Sequence, residues 1–178
     1  MAKKVADQLV DTLEKAGVRR IYAVTGDSLN EVNEAVRKNG RLRWIHVRHE
    51  ETGAYAAAAE AQLTGELACC AGSSGPGHVH LINGLYDAQR SGARVLAIAS
   101  TIPSREFGTE YFQETNTIKL FDDCSYYNQV ATTPEQFPRM LQGAMQAAIS
   151  SCGVGVIGLP GDLAAENALS LIHISEPT

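Results

Sequence analysis

The sequence predicts an α/β fold, a doubly wound, six-stranded parallel sheet with helices on both faces. Three observations point there. Apolar residues alternate between strand and helix spacing from one end of the chain to the other. Several strand segments are almost entirely apolar, as strands covered on both faces are. Parallel neighbours also require crossover connections, and their right-handedness winds helices onto both sides of the sheet.

Each element has its own signal. Val5, Leu9, Leu13 and Ala16 recur at helical spacing, and Gly17 stops that helix. Residues 21–24 read as a short strand, followed by the turn Thr25-Gly26-Asp27. Ser28 and Glu31 fit a capping box for a helix ending near Gly40. Residues 42–47 form the next strand, and 50–64 an alanine-rich helix closed by Gly65. A strand over 67–71 runs into the glycine-rich loop Gly72-Ser73-Ser74-Gly75-Pro76-Gly77, then a helix over 79–90 and a strand over 95–100. Residues 101–116 are irregular and long for a compact domain, which marks a working loop. A short helix over 118–121, a strand over 127–131, a helix from Thr133-Pro134 to about 150 and a final strand over 154–159 complete the pattern. Ligands of such sheets sit beyond the carboxyl ends of the strands. The turn at Gly26, the pair His49-Glu50, the glycine-rich loop and the 101–116 segment all fall on that edge.

Composition excludes several classes of function. The 178 residues are 44% apolar and 20% charged, with 15 basic against 20 acidic side chains. That length suits one domain with a sizeable core. A formal charge of -5 leaves no general basic field for a nucleic-acid backbone. The longest apolar runs are strand-sized, and the first residues turn amphipathic without a signal-peptide core. A soluble, cytoplasmic domain is expected. The four cysteines (Cys69, Cys70, Cys124, Cys152) form no C-x-x-C pair and read as buried, reduced thiols, with Cys69 and Cys70 on opposite faces of one strand. The five histidines show no ligand spacing, so no protein-built metal site is expected.

The motifs, taken alone, leave alternatives open. Gly72, Gly75 and Gly77 match neither a dinucleotide fingerprint nor a phosphate loop. They read as a tight strand-to-helix turn or as close backbone approach to a flat ligand. Glu50 and Glu51 read as ordinary acidic partners of a helix N-terminus. Their faces differ, however. Glu50 shares its face with Gly53, Ala54, Ala57 and Ala61, small enough to pack tightly, whereas Glu51 shares its face with Tyr55, Ala58 and Gln62. Glu50 is therefore expected in a packed interface, where a carboxyl group is a candidate for acid/base work, and Glu51 in solvent.

Arg48-His49-Glu50-Glu51, the alanine-rich helix ending Thr64-Gly65, Gly75-Pro76-Gly77 with Asn83-Gly84-Leu85 after it, and Tyr111-Phe112-Gln113-Glu114 together resemble thiamine-diphosphate enzymes. The resemblance is to the N-terminal, pyrimidine-binding domain of the pyruvate oxidase and acetolactate synthase group, over about residues 5–163. Within the group, the run from His80 to Asp87 and Ile102-Pro103-Ser104 are most similar to the bacterial quinone-linked pyruvate dehydrogenases (pyruvate oxidases). The resemblance implies that Glu50 hydrogen-bonds N1′ of the thiamine diphosphate aminopyrimidine. That contact favours loss of the thiazolium C2 proton, attack on the keto carbon of pyruvate and departure of carbon dioxide. It further implies that Gly26, Gly75, Pro76 and Gly77 line the cofactor cleft with Asn83 near it, and that Phe112 and Gln113 face substrate or flavin.

The resemblance also implies that Mg2+ and the diphosphate bind a separate domain carrying a Gly-Asp-Gly motif, and FAD another. Neither is found in this sequence, where Gly161-Asp162-Leu163 is only superficially similar. The expectation is half a site, completed in a homo-oligomer (dimer or tetramer), with membrane contact only through a carboxyl-terminal region not seen here. Residues 1–168 are read as the domain. Residues 169–178 leave the family pattern abruptly and look like the translation of a sequencing-library adapter, so they are excluded from fold reasoning. Two classes of function are weighed: a piece of a pyruvate-decarboxylating enzyme (quinone-linked, or alternatively an oxygen-using pyruvate oxidase or acetolactate synthase-like), inactive by itself, and a non-catalytic α/β dimerisation module.

Overall fold

A computed structural model describes residues 2–168 of the chain. The 169–178 segment, read above as foreign to the domain, lies outside the described residues. Six strands, β1 (Arg20–Ala23), β2 (Arg43–His46), β3 (Ala68–Gly72), β4 (Val95–Thr101), β5 (Tyr127–Val130) and β6 (Val154–Pro160), form one sheet in the order β2-β1-β3-β4-β6-β5. Every pairing is parallel. In the middle of the sheet Leu96 pairs with Cys69 on one side and Gly155 on the other. The central strands β3, β4 and β6 are buried along their whole length, which is why their sequences are nearly all apolar.

Helices cover both faces, as predicted. One face carries α1 (Val5–Lys15), α2 (Asn30–Asn39), α7 (Phe137–Ser151) and the short α8 (Gly161–Ala165), packed around Leu9, Val32, Phe137 and Leu141. The other carries α3 (Glu50–Thr64) and α5 (Ile82–Ser91), with Phe121 after α6 (Thr117–Leu120). Cys69 belongs to the first core and Cys70 to the second, the outcome of strand alternation. The layers sit close because the facing residues are small. A Cβ on Gly84 of α5 would lie 2.5 Å from the Cβ of Ala54 on α3, so only glycine lets these helices meet. No helix among the described residues is long and apolar enough to cross a membrane.

Several local expectations are corrected. Ser28 is not a capping residue. Residues Asp27–Leu29 form a 3-10 turn, α2 begins at Asn30, and the Ser28 hydroxyl reaches across to Ser73 and Ser74. The segment after the glycine-rich loop is two helices, with α4 (Pro76–Val79) starting inside the loop and α5 following at Ile82. The helix expected from Thr133 starts at Phe137, with Pro138 in its first turn, where a missing N–H is harmless. Ala58, grouped by spacing with the solvent side of α3, is buried, because α5 covers a broad sector of that helix. Cys152 is exposed: it caps α7 in the left-handed conformation (φ 49°), at the surface turn into β6. The other three thiols are buried.

Candidate functional site

The topology creates a crevice before any side chain is considered. From β1 the chain crosses outward to β2 and then returns to β3 on the opposite side of β1. The connections leaving the carboxyl ends of β1 and β3 therefore diverge, and a ligand crevice opens between them. The four segments expected on this edge are all there, and hydrogen bonds join three of them. Ser28 Oγ lies 2.9 Å from Ser73 Oγ and accepts the Ser74 N–H at 2.9 Å. Ser74 Oγ donates to Gln113 Oε1 at 3.0 Å. Ser100 Oγ, at the end of β4, donates to the Ser28 carbonyl at 2.8 Å.

Glu50 is the first residue of α3 and is 8% exposed, as its small-residue face predicts. His49 precedes it as the helix cap, its Nδ1 accepting the Glu51 N–H at 3.3 Å. Glu50 Oε2 is 3.0 Å from Nδ1 of His80, just past α4. Among the described residues Oε2 alone of the two oxygens is hydrogen-bonded; Oε1 faces Gly77, where an added Cβ would come within 3.4 Å of it. The His80 ring stacks on His49 with centroids 4.4 Å apart. Glu51 is half-exposed and stands on the outer side of the pair.

The glycines show why this rim tolerates no side chains. At Gly26, in extended backbone, a Cβ would meet Ser73 Oγ at 2.3 Å. Gly75 has φ 64° and ψ -120°, and a Cβ there would lie 2.7 Å from Gln113 Cβ. Gly75 is thus the seat on which the 101–116 loop rests. That loop passes Glu110 and Gln113 through positive φ (59° and 68°), and Glu114 holds it by accepting the N–H groups of Gly108 and Tyr111. Asp162 ties its start down, accepting from the Ser104 N–H at 2.9 Å and the Ser104 hydroxyl at 2.8 Å. Phe112 at its tip is 79% exposed.

Of the residues singled out from sequence, Gly26, Glu50, Gly75, Gly77 and Gln113 gather on one rim, with Pro76 opening α4 beside them. Phe112 points outward from the same loop. Asn83 is exposed in the first turn of α5, its Nδ2 3.5 Å from a Glu51 oxygen, so it adjoins Glu51 and not Glu50. Sequence reading gave no role to His80, the hydrogen-bonding partner of Glu50, or to His78. His78 is buried, with Nδ1 2.8 Å from the Ser100 carbonyl and Nε2 2.5 Å from Thr115 Oγ1. Burial pushes the His78 pKa below its ordinary value. With Gln113, Thr115 and Ile118 it lines an open cavity of about 720 Å³ beside the loop. The available signal for both histidines was their distance of one and three residues from Gly77. Chemically, the rim offers a buried carboxylate that can hold or pass a proton, backed by a half-exposed histidine, above a cradle of bare backbone.

Residues 3–120 match the family model described as "Thiamine pyrophosphate enzyme, N-terminal TPP binding domain". The chain is 56% identical over 161 residues to an uncharacterized 42.6 kDa protein of Pseudomonas amyloderamosa, covering 90% of this chain and 41% of that protein. It is 38% identical to the pyruvate oxidase of Lactiplantibacillus plantarum (87% of this chain, 26% of that enzyme). It is 32% identical to a chloroplastic acetolactate synthase of Brassica napus (94% of this chain, 26% of that enzyme). The chain therefore spans less than half the length of each of these relatives. A parallel α/β sheet with a buried glutamate at its crevice, and a match over two thirds of the sequence, place this chain in the thiamine pyrophosphate enzyme family, as its N-terminal TPP-binding domain.

Proposed function

We propose that residues 1–168 are the pyrimidine-binding half of a thiamine-diphosphate enzyme that oxidatively decarboxylates pyruvate, with a quinone as electron acceptor and acetate as product. The observation that carries the reading is Glu50: a buried carboxylate with one oxygen turned to the Gly75-Pro76-Gly77 segment and the other on His80. The residues present fit the pyrimidine half of the cofactor. A flat ring needs bare backbone beside it and a carboxyl group within reach of its nitrogen, and the rim holds the buried Glu50 carboxylate against the glycine backbone at Gly77.

When bound, thiamine diphosphate supplies an acidic carbon that adds to a keto group and accepts the electrons left by carbon dioxide. The residues of this chain set the conditions for that chemistry. Glu50 holds a proton at ring nitrogen N1′, in a site where burial strengthens the hydrogen bond. His80 orients the Glu50 carboxylate and keeps its second oxygen engaged. Gly26, Gly75, Pro76 and Gly77 bring backbone close to the ring, Asn83 stands near it beside Glu51, and Phe112 and Gln113 belong to the loop on the substrate or flavin side. Mg2+ and FAD are assigned to other domains of a homo-oligomeric, cytoplasmic enzyme in which a neighbouring subunit holds the diphosphate.

An acetolactate synthase-like activity is the second reading, favoured by the identity to the Brassica napus enzyme. A dimerisation module without chemistry is the third; the small-residue face it would use, Gly53, Ala54, Ala57 and Ala61, is already covered within the chain by Leu81 and Leu85. The test is Glu50→Gln in the holoenzyme carrying this domain, read by exchange of the cofactor C2 proton. Exchange is expected to slow about 10²–10⁴-fold, the usual worth of a positioned proton transfer. Unchanged exchange would remove the role given to Glu50.

A further inference from the structure

The histidine spacing in the sequence matches no metal motif, yet the fold assembles a constellation that spacing cannot reveal. His49, Glu50 and His80 each offer a ligand atom, and these atoms lie within 4.8 Å of one another. Tetrahedral zinc with bonds of about 2.0–2.1 Å separates neighbouring ligand atoms by roughly 3.4 Å. Glu50 Oε2 and His80 Nδ1 already stand 3.0 Å apart. Among the described residues the His49 ring is held by its stacking on His80 and by one 3.3 Å contact to the Glu51 N–H, so a small rotation closes the remaining gap. Ligation through His49 Nε2 requires the tautomer with the proton on Nδ1, which would give up the contact accepted from the Glu51 N–H and turn that proton toward the Glu51 carboxylate oxygen, now 3.8 Å away. The Glu50 side chain is 11% exposed while those of His49 and His80 are 48% and 43% exposed, so the group is buried behind and open in front.

We propose that His49, Glu50 and His80 form a three-residue site for a borderline divalent transition metal, Zn2+ above all, with water in the fourth position. Two imidazoles and one carboxylate suit that class of ion, and three protein ligands leave one position open. Binding at His80 Nδ1 displaces the hydrogen that it shares with Glu50 Oε2: from a neutral imidazole that proton moves to Nε2 with no net release, from an imidazolium it passes to water, and no oxidation state changes. An ion here takes the Glu50 carboxylate away from any nitrogen heterocycle, which makes the site inhibitory. The inhibition rests on the cofactor reading above, whereas the binding does not.

The experiment titrates the 178-residue chain with Zn2+ by calorimetry in buffers of different ionisation enthalpy, and records X-ray absorption at the zinc edge. One ion per chain, proton release that grows as the pH is lowered, and a shell of two imidazoles plus oxygen are expected. Affinity should fall about 10-fold or more in His80→Ala and in His49→Asn, and stay unchanged in His46→Asn. Failure to bind, undiminished binding in His80→Ala, or sulfur in the shell would overturn the site. Should either variant lose its fold by circular dichroism, the absorption spectrum of the unaltered chain decides, and fewer than two imidazoles rejects the proposal. Because cofactor is absent from every measurement, a failure here leaves the thiamine reading untouched.

Discussion

Gly75→Ala puts the architecture of the rim to a quantitative test. Gly75 sits at φ 64° and ψ -120°, a region that side-chain-bearing residues enter at a cost of about 1–3 kcal/mol. The new Cβ would also lie 2.7 Å from Gln113 Cβ and 3.0 Å from its Cα and carbonyl oxygen. Those are atoms of a seated backbone, so relief requires the loop to move, and overpacking of this kind costs about 1–3 kcal/mol more. The expected loss is the sum, about 2–6 kcal/mol, a large part of the roughly 5–15 kcal/mol that holds a domain folded. Gly65 provides the control, because it also has positive φ (74°) but nothing lies within 4 Å of its added Cβ. Gly65→Ala should lose only the conformational part, about 1–2 kcal/mol. Urea unfolding of the two variants and the parent chain, followed by circular dichroism, gives both numbers. Thermal midpoints should drop by about 2–4 °C per kcal/mol at this chain length. Equal losses for the two glycines would mean that the 101–116 loop does not rest on Gly75, and the coupling between the two segments would have to be abandoned.

Two further outcomes follow from buried groups. His78 is held neutral by burial, its pKa lowered from 6.5. As pH falls through 6.5 the unfolded chain takes up a proton that the folded chain refuses, so the stability present above that pH is lost on acidification. His78→Gln should flatten this decline in urea midpoints measured at stepped pH, and an unaltered slope would place the cause elsewhere. Burial pushes the Cys70 thiol to about 12, the Cys124 thiol to about 11 and the Cys69 thiol well above 9.0. A disulfide reagent should therefore modify Cys152 in the folded chain and the other three only in denaturant; mass spectrometry showing early labelling of Cys69 or Cys70 would contradict the packed core.

The sequence carried more of the site than a list of motifs suggests. Apolar periodicity located all six strands and the helices α1, α2, α3 and α7, because burial acts residue by residue along an element. The contrast between Glu50 and Glu51 was legible for the same reason: Gly53, Ala54, Ala57 and Ala61 mark the buried face of α3, and the glutamate on that face is the buried one. Element ends were read less well. The actual starts at Asn30 and Phe137 depend on what Ser28 and Thr133 find nearby, and Ser28 finds Ser73, 45 residues away.

The chain by itself determined the strands and the buried face of α3 that carries Glu50 and, through the parallel pattern, that the working segments share one edge; the burial of Ala58 and the exposure of Cys152 were not legible in it. Tertiary structure alone decided their pairings across that edge. Glu50 and His80 are 30 residues apart, and strand order with the close approach of α3 to α5 at Gly84 puts them 3.0 Å from each other. Periodicity is a property of neighbours along the chain, whereas a hydrogen bond between segments depends on how separate elements stack, which local spacing does not encode.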